Sequence, residues 1–212
     1  MSIVGIVPAG GSGERLGADR PKAFVVLGGR PMLDWSVEVL ATACDRVVVA
    51  VPAGHERPPD RIAGGPSRSA SVRNALEAAP EATVVVVHDA ARPLLRAHLL
   101  RRCIRALGPA GGAIAAARVT DTVKEADPAG RVVRTLDRAS LWAIQTPQVF
   151  RADLLRRALA VDDDTLAAAT DDASLVEAAG GSVVVVEASP DNLKVTTAAD
   201  LRLAEGILAD RC

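Results

Sequence analysis

Short runs of consecutive apolar residues recur along the chain, and the segments between them have apolar residues at helical spacing. The apolar runs cover residues 3–7, 47–51, 83–87 and 113–117. Uninterrupted apolar runs of this length are typical of strands that are buried on both faces of a parallel sheet. The intervening spacing predicts helices over residues 31–40, 67–76 and 96–107. This alternation predicts an α/β fold, with a mostly parallel central sheet covered by helices on both faces.

The pattern changes over residues 118–141, which are polar and lack a helical period. A turn sequence, Asp-Pro-Ala-Gly at 127–130, lies near the middle of this segment. We predict a protruding β-arm here, and a flexible surface loop is the alternative. Helical spacing returns at 151–160 and 171–179, a strand is predicted at 182–187, and Thr197 with Asp200 fits a capping box for a last helix. No repeat or linker interrupts the chain, so we predict one domain over 1–212 with the arm inserted.

Composition limits the classes of partner that the chain can have. The 212 residues carry a formal net charge of −1, so no overall field attracts nucleic acid or an anionic membrane. No apolar run approaches the roughly 18 residues of a membrane span, and no basic segment precedes the first strand. Cys44, Cys103 and Cys212 are few, odd in number and widely spaced, as in reduced thiols. We therefore expect a cytoplasmic protein with no nucleic-acid or membrane partner.

A loop rich in glycine, residues 7–22, follows the first apolar run and carries two cations. Gly10, Gly11 and Gly13 free the backbone so that its N–H groups can approach a ligand closely. Arg15 and Lys22 add positive charge to the same loop. Exposed amides and cations at the carboxyl end of a strand are suited to a polyphosphate. The alternative is a surface turn without a ligand.

Two other glycine loops do not match this segment. The chain has no Gly-Lys pair, which a P-loop requires. In the dinucleotide-binding motif a third glycine follows at a set distance, and here Gly17 comes one position late. Pro21 also prevents a helix from running through the segment. An NAD-dependent oxidoreductase is therefore the least favoured class.

A second candidate site lies where the third apolar run ends. Asp89 follows four valines and His88, so it lies at the carboxyl edge of the predicted sheet, where open α/β sheets bind ligands. Its carboxylate could hold Mg²⁺ or accept hydrogen bonds from hydroxyls, and Arg92 could grip a phosphate with two N–H groups. The alternative is a structural Asp89–Arg92 pair. We interpret His88 as a structural, hydrogen-bonded histidine, because no further metal-ligating residues lie near it.

Lysine is rare in this chain, which has 25 basic residues and uses arginine as its usual cation. The three lysines are Lys22, Lys124 and Lys194. A lysine is a compact point charge, which fits where a planar guanidinium does not. A lysine in this chain is therefore a candidate for a specific role.

The loop and several later segments resemble one enzyme family. Pro-Ala-Gly-Gly-Ser-Gly-Glu-Arg-Leu-Gly followed by Arg-Pro-Lys resembles the signature loop of the sugar- and polyol-phosphate nucleotidylyltransferases. Later segments narrow the resemblance to the 2-C-methyl-D-erythritol 4-phosphate cytidylyltransferase family. In family order they are Gly-Gly (64–65) with Ser-Val (71–72), Val-His-Asp-Ala-Ala-Arg-Pro (87–93), Asp-Thr-Val-Lys (121–124), Asp-Arg (137–138) with Leu-Trp (141–142), Gln-Thr-Pro-Gln (145–148), Thr-Asp-Asp-Ala-Ser (170–174) and Asp-Asn-Leu-Lys-Val-Thr (191–196). Gly10 and Ala23 depart from the family's usual alanine and glutamine, but neither change removes a charge.

The resemblance implies a Rossmann-like, GT-A-like nucleotidyltransferase fold and transfer of CMP from CTP to 2-C-methyl-D-erythritol 4-phosphate. It implies catalytic roles for Arg15, Lys22, Arg138 and Lys194. It implies that CTP, the co-substrate, contacts Pro8, Ala9, Gly10, Gly11, Gly13, Gly65, Ser71, Asp89 and Ala90. It implies that the polyol phosphate is held by Asp89, Arg92, Thr122, Arg138, Thr146 and Lys194.

The resemblance also implies a homodimer, because in the family the arm interlocks two subunits, so that Thr122 and Arg138 would serve the neighbouring site. It implies Mg²⁺ or another divalent cation, held by Asp89 or otherwise through the CTP phosphates. The attacking group is a phosphate oxygen that is already ionised near pH 7, so no protein base is required. The site has to position the reactants and neutralise their charge.

Two alternatives to this function stay open on the sequence. The nearest is a cytidylyltransferase for another polyol phosphate, such as ribitol 5-phosphate. The other is a nucleotide-binding protein without catalytic activity, which would not need Lys194 so far along the chain. The Ala-Ala pair before Arg92 and the Gln-Thr-Pro-Gln segment favour the erythritol branch.

Overall fold

The computed structural model describes residues 1–17 and 20–211, and it confirms an α/β fold around one central sheet. Cys212 and the loop residues Ala18 and Asp19 lie outside the described residues. Along the described chain, the strands are β1 (Ile3–Pro8), β2 (Val26–Leu27), β3 (Arg30–Pro31), β4 (Arg46–Val51), β5 (Arg61–Ala63), β6 (Val84–Val87), β7 (Gly112–Arg118), β8 (Lys124–Ala126), β9 (Val132–Thr135), β10 (Trp142–Arg151) and β11 (Val183–Glu187).

Seven of these strands form the central sheet in the order β11-β7-β10-β6-β1-β4-β5. Strand β1 lies parallel to both β4 and β6, and Ile6 pairs with Val48 on one side and with Val87 on the other. Because these three strands run in the same direction and in register, their carboxyl ends meet at one edge of the sheet. This edge is where the loop after β1 and the residues after β6 come together.

Helices cover both faces of the sheet, as predicted. They are α1 (Met32–Ala41), α2 (Arg68–Glu77), α3 (Ala97–Ala106), α4 (Ala152–Leu159), α5 (Asp163–Ala168), α6 (Asp172–Ala178) and α7 (Ala198–Ala209). Ile6 and Val87 pack with α2, α4, α5 and α6 on one face. Val7 and Val86 pack with α1 and α3 on the other. The alternation of side chains along each strand therefore divides the apolar runs between two cores.

The predicted last helix begins with the predicted cap. The Thr197 hydroxyl accepts a hydrogen bond from the Asp200 N–H, and the Asp200 carboxylate accepts one from the Thr197 N–H. Together these bonds satisfy backbone donors that the first turn of a helix leaves free. Helix α7 then packs on Leu27 and Val195 through a small third core.

Strand β10 is the main feature that the hydrophobic pattern did not predict. It lies between β6 and β7 and runs antiparallel to both, so the sheet is mixed although most of its pairs are parallel. Its sequence contains Pro147, Gln145 and Gln148, which do not resemble an apolar strand. Gln148 is nevertheless buried, and its amide donates to the Asp171 carboxylate (2.8 Å). The amide N–H groups of Gln145 and Gln148 are both hydrogen-bonded, which offsets part of the cost of burying them.

Two shorter elements were also missed. The glycine- and proline-rich residues 53–66 contain β5, which extends the edge of the sheet beside β4. The short helix α5 follows α4 and is capped by Asp162, whose side chain accepts from the Thr165 N–H. Both elements are too short to have a clear hydrophobic period.

The predicted β-arm is an ordered hairpin rather than a flexible loop. Strands β8 and β9 pair antiparallel outside the central sheet, and every residue of both strands is exposed. The Asp127 carboxylate closes the turn by accepting from the N–H groups of Ala129 and Arg131 (both 2.9 Å). Gly130 takes a left-handed φ of 79°, which glycine adopts without strain. The role of the arm in dimerisation stays a prediction.

Two further features concern the cysteines and the lengths of the helices. Cys44 and Cys103 are free thiols, and burial raises the pKa of each to about 12. In the described part of the chain, every helix is too short or too polar to cross a bilayer.

Candidate active site

A cleft of about 410 Å³ opens at the edge of the sheet where β1, β4 and β6 end. Segments that are far apart in the sequence line it: residues 8–15, 22–23 and 65–68, Ser71, residues 89–91, Lys194 and Thr196. Most residues predicted to contact the nucleotide or the reacting phosphates are among them, namely Pro8, Ala9, Gly10, Gly11, Gly13, Arg15, Lys22, Gly65, Ser71, Asp89, Ala90 and Lys194. The glycine-rich loop is thus part of a ligand-sized cavity and not an isolated surface turn.

The loop after β1 folds back on itself so that Lys22 returns beside its glycines. The Lys22 N–H donates to the Gly11 carbonyl oxygen (3.0 Å). Gly13 has a left-handed φ of 85°, and a Cβ there would lie 3.1 Å from the Arg20 carbonyl oxygen. Glycine is therefore required at this position both for its φ and for the close approach of the returning chain. This return carries the Lys22 side chain to the cleft wall that Arg15 also lines.

The cations of the cleft are close enough to affect one another. Partial burial, together with the nearby positive charges of Lys194 and Arg15, lowers the pKa of Lys22 to about 8. Mutual repulsion of cations is unfavourable until an anion enters. The cleft is therefore arranged to gain electrostatic energy when it binds a polyanion.

Asp89 lies at one end of this cationic cluster and is paired on both of its oxygens. Arg68 Nε lies 2.9 Å from Oδ1, and Lys194 Nζ lies 2.8 Å from Oδ2. Burial by itself would raise the pKa of Asp89, but the two cations outweigh burial and hold that pKa well below its usual range. The predicted alternative, an Asp89–Arg92 side-chain pair, is wrong, because Arg68 and Lys194 take that place.

Arg68 is a cleft residue for which no role was predicted from the sequence. It connects Asp89 to Asp172, whose Oδ2 accepts from Arg68 Nη1 at 2.7 Å. Asp172 is fully buried, and burial raises its pKa despite the charge of Arg68. Arg68 and Asp172 lie 104 positions apart in the chain. The signal available in the sequence was the position of Arg68 between Gly65 and Ser71, which the resemblance assigns to CTP.

Gly65 and Ser71 form the opposite end of the cleft, where the loop after β5 enters α2. The Gly65 N–H donates to the Ser71 hydroxyl (3.0 Å), which in turn donates to the Ser67 carbonyl (2.9 Å). A Cβ on Gly65 would lie 2.6 Å from the Ala70 side chain. The loop therefore packs tightly on the first turn of α2, and a larger residue at 65 would displace it.

Two predicted acceptor-binding residues support the cleft from behind it. The Arg92 guanidinium donates to the backbone carbonyls of Asn192 (2.8 Å) and Ile144 (3.3 Å). Thr146 is buried, and its hydroxyl contacts the Asp89 N–H and the His88 ring. Neither side chain lines the cleft. Their contact with an acceptor stays a prediction. Their observed hydrogen bonds hold in place the segment that carries Asp89 and the segment that carries Lys194.

The arm residues Thr122 and Arg138 also lie away from this cleft. Arg138 donates to the backbone carbonyl of Thr120 within the arm. Thr122 and Arg138 are both exposed. The structure thus does not bring them to the cleft of their own chain, and their action in a neighbouring subunit stays a prediction.

The side chains of the described residues do not by themselves form a metal-binding site. They contain no group of three or more His, Cys, Asp or Glu side chains that could hold an ion. In the cleft, the Asp89 carboxylate already has a cation on each oxygen. A divalent cation therefore fits this cleft better as part of a metal–nucleotide complex than as an ion resident on the protein.

Comparisons with known proteins agree with this geometry. A model of the family described as 2-C-methyl-D-erythritol 4-phosphate cytidylyltransferase matches residues 3–210. The chain is 47% identical over 227 residues to a protein of that name from Nocardia farcinica, with 99% of this chain and 95% of the relative covered. It is 41% identical to another from Prochlorococcus marinus, with 97% and 98% covered. It is also similar to a crystal structure of a 2-C-methyl-D-erythritol 4-phosphate cytidylyltransferase from Thermus thermophilus, with a TM-score of 0.83, 36% identity and 98% of each chain covered.

Proposed function

The chain belongs to the 2-C-methyl-D-erythritol 4-phosphate cytidylyltransferase family, and from this membership we propose how its cleft carries out the family's reaction. The enzyme transfers CMP from CTP to 2-C-methyl-D-erythritol 4-phosphate in the non-mevalonate isoprenoid pathway. The products are 4-diphosphocytidyl-2-C-methyl-D-erythritol and pyrophosphate. A phosphate oxygen of the acceptor attacks the α-phosphorus of CTP, and the bond from that phosphorus to the β-phosphate oxygen breaks.

CTP lies with its base toward Gly65 and Ser71 and its phosphates on the loop after β1. The lack of a side chain at Gly65 supports this orientation, because a base can approach the backbone closely there. The N–H groups of residues 10–13 and the cations Arg15 and Lys22 face the triphosphate. Ala90 also lines the cleft, and the ribose lies beside it.

Charge stabilisation by this chain's cations supplies the catalysis. Arg15 and Lys22 stabilise the negative charge that moves onto the departing pyrophosphate, and Lys194 draws the acceptor phosphate to the α-phosphorus. No protein base is needed, because the attacking oxygen is already ionised. When it is bound with CTP, a divalent cation neutralises part of the phosphate charge.

The acceptor lies at the Asp89–Lys194 end of the cleft. Asp89 accepts hydrogen bonds from its hydroxyls, and Arg92 and Thr146 hold this end in place. We assign Thr122 and Arg138 to the cleft of a second copy of the chain in a homodimer. The exposure of the whole β8–β9 hairpin supports this assignment, because an isolated two-stranded hairpin is marginally stable without a covering surface.

One observation carries the proposal: Arg15, Lys22 and Lys194 come from distant segments and meet in a single cleft. The free thiols of Cys44 and Cys103 accord with a reducing compartment, and we propose that the protein works in the cytoplasm.

Acceptor choice provides the direct test. With CTP and Mg²⁺, we expect pyrophosphate release to be at least about 100-fold faster, in kcat/KM, with 2-C-methyl-D-erythritol 4-phosphate than with ribitol 5-phosphate. Omission of either acceptor controls for hydrolysis of CTP. Faster turnover of ribitol 5-phosphate would assign the chain to the other polyol substrate. CTP binding without release of pyrophosphate in the presence of either acceptor would support the non-catalytic alternative.

A further inference from the structure

His88 is a fully buried histidine that does not line the cleft, although it directly precedes Asp89. Its backbone N–H donates to the Ile6 carbonyl (2.9 Å), which continues the pairing of β6 with β1. The main chain at His88 is therefore anchored to the centre of the sheet. Its ring can act on the site only through the residues that it contacts.

The hydrogen bonds of the His88 ring establish its tautomer. Nε2 lies 3.0 Å from the Arg92 carbonyl oxygen, which can only accept, so Nε2 carries the proton. Nδ1 is then an acceptor, and the Thr146 hydroxyl donates to it at 2.9 Å. Burial lowers the pKa of His88 to about 4, in agreement with a neutral ring.

The tautomer decides which way the Thr146 hydroxyl faces. Because its proton is directed to His88 Nδ1, a lone pair of the hydroxyl is left for the Asp89 N–H, which lies 3.1 Å away. The Arg92 N–H donates back to the Asp89 carbonyl (2.9 Å). Both peptide groups of Asp89 are thus held, one by Thr146 and one by the turn that His88 closes.

We propose that His88 is a positioning residue that, as the Nε2–H tautomer, orients the Thr146 hydroxyl toward the Asp89 amide and so holds the Asp89 carboxylate between Arg68 and Lys194. This inference rests on the proposed function in one respect, that Asp89 contacts the acceptor. Displacement of Asp89 would disturb both the acceptor hydroxyls and the position of Lys194. The nucleotide end of the cleft would be little affected, because Gly65, Ser71 and the loop after β1 do not contact His88 or Thr146.

Paired substitutions separate the two bonds of the ring. In His88→Gln the side-chain amide can still donate to the Arg92 carbonyl, but the acceptor for Thr146 is lost. In His88→Asn an acceptor stays near the position of Nδ1, and the donor to Arg92 is lost. Thr146→Val removes the hydroxyl at nearly constant volume, and Thr146→Ser retains it. We expect His88→Gln and Thr146→Val each to raise KM for the polyol phosphate about tenfold while KM for CTP changes by less than about twofold.

The remaining outcomes follow from the same chain of bonds. His88→Asn and Thr146→Ser should keep a near-normal KM for the polyol phosphate even if their melting temperatures fall. The double variant His88→Gln/Thr146→Val should be no worse than either single variant, because both interrupt one chain. Additive losses, equal changes in both KM values, or a KM that simply follows melting temperature across the four variants would overturn the proposal.

A spectroscopic measurement tests the tautomer independently of activity. Long-range ¹H–¹⁵N correlation spectra of the labelled enzyme should show one neutral Nε2–H histidine whose signals disappear in His88→Gln. Only three histidines need to be assigned. A protonated Nδ1 at His88 would overturn the proposal even if the enzyme uses the expected acceptor. A wild-type enzyme that does not use this acceptor would instead overturn the proposed function and leave the tautomer result standing.

Discussion

Lys22 is a cation whose charge depends on the residues around it. Burial, Lys194 and Arg15 lower its pKa to about 8, so the unliganded enzyme loses this charge as the pH rises through that value. The unfolded chain binds the proton more tightly, so between about pH 8 and 10.5 this group favours the folded state increasingly with pH. A bound polyphosphate has the opposite effect and raises the pKa. Nucleotide binding and protonation of Lys22 are therefore coupled.

We expect Lys22→Ala to retain the fold and to lose about 10²–10³ in kcat, because one charge contact to the reacting phosphates is removed. Arg101→Ala is a matched control, since Arg101 is exposed on α3, away from the cleft. Steady-state release of pyrophosphate measures the loss, and circular dichroism checks the fold. Full activity in Lys22→Ala would exclude this loop from the mechanism.

The coupling also predicts a pH dependence that a second substitution should abolish. In the wild-type enzyme, the apparent Kd for CTP should rise by up to about tenfold per pH unit above pH 8, because binding then requires uptake of a proton by Lys22. Lys22→Arg keeps its charge over this range, so its Kd should be flat up to about pH 10. Calorimetric titrations in buffers of different ionisation enthalpy would report the proton uptake directly. An identical slope in both proteins would assign the titration to another group.

At the scale of elements, the β8–β9 hairpin lies outside the central sheet and exposes apolar side chains. Val132 and Val133 are more than 60% exposed on one strand of the hairpin. Such β-branched apolar side chains stabilise a strand mainly when something packs on them. The turn, by contrast, is well defined by Asp127. The hairpin is therefore preformed, and its faces are available to a second subunit.

Deletion of residues 120–138, with a short glycine linker in their place, should leave a folded protein, because the arm contributes nothing to the two cores of the sheet. We expect this variant to sediment as a monomer and to lose most of its activity with a largely retained Kd for CTP. Sedimentation velocity and calorimetry measure these properties. A monomer that turns over at the wild-type rate would contradict the shared site.

At the scale of the whole molecule, the fold concentrates positive charge in one cleft, although the charges of the whole chain nearly cancel. The net charge is −1, yet one cleft collects Arg15, Lys22, Arg68 and Lys194 around a single paired carboxylate. The field that a substrate meets is thus local, and it arises because parallel strands deliver their following loops to the same edge. The proposed dimer would add Arg138 of the second subunit to this field.

Mixing two inactive proteins would test the dimer as a whole. In a heterodimer of Lys22→Ala and Arg138→Ala subunits, the cleft that keeps Lys22 would receive an intact Arg138 from its partner, while the other cleft would lack both. Equal mixing with free exchange should therefore restore about a quarter of the wild-type activity per subunit. Each variant alone gives the background. No recovery after verified exchange would place both residues in the same subunit's site.

The sequence by itself determined what depends on neighbouring residues. The apolar runs predicted the parallel strands, the Thr197 and Asp200 pair predicted the start of α7, and the turn sequence predicted the tip of the arm. The glycine loop with its cations, together with the order of later segments, was sufficient to predict the family. These features are local because strand pattern, capping and turn geometry are decided within a few residues.

Only the tertiary structure decided how distant segments meet. Strand β10 enters the centre of the sheet although its sequence contains polar residues, because partners such as the half-buried Asp171 accept hydrogen bonds from its amides. Arg68 binds Asp89 and also Asp172, which lies 104 positions away from it, and nothing in the residues next to Arg68 predicts these two partners. The energy of a buried polar group depends on the donors and acceptors that surround it in space. That environment exists only after the chain has folded, which is why the pattern alone could not predict these residues.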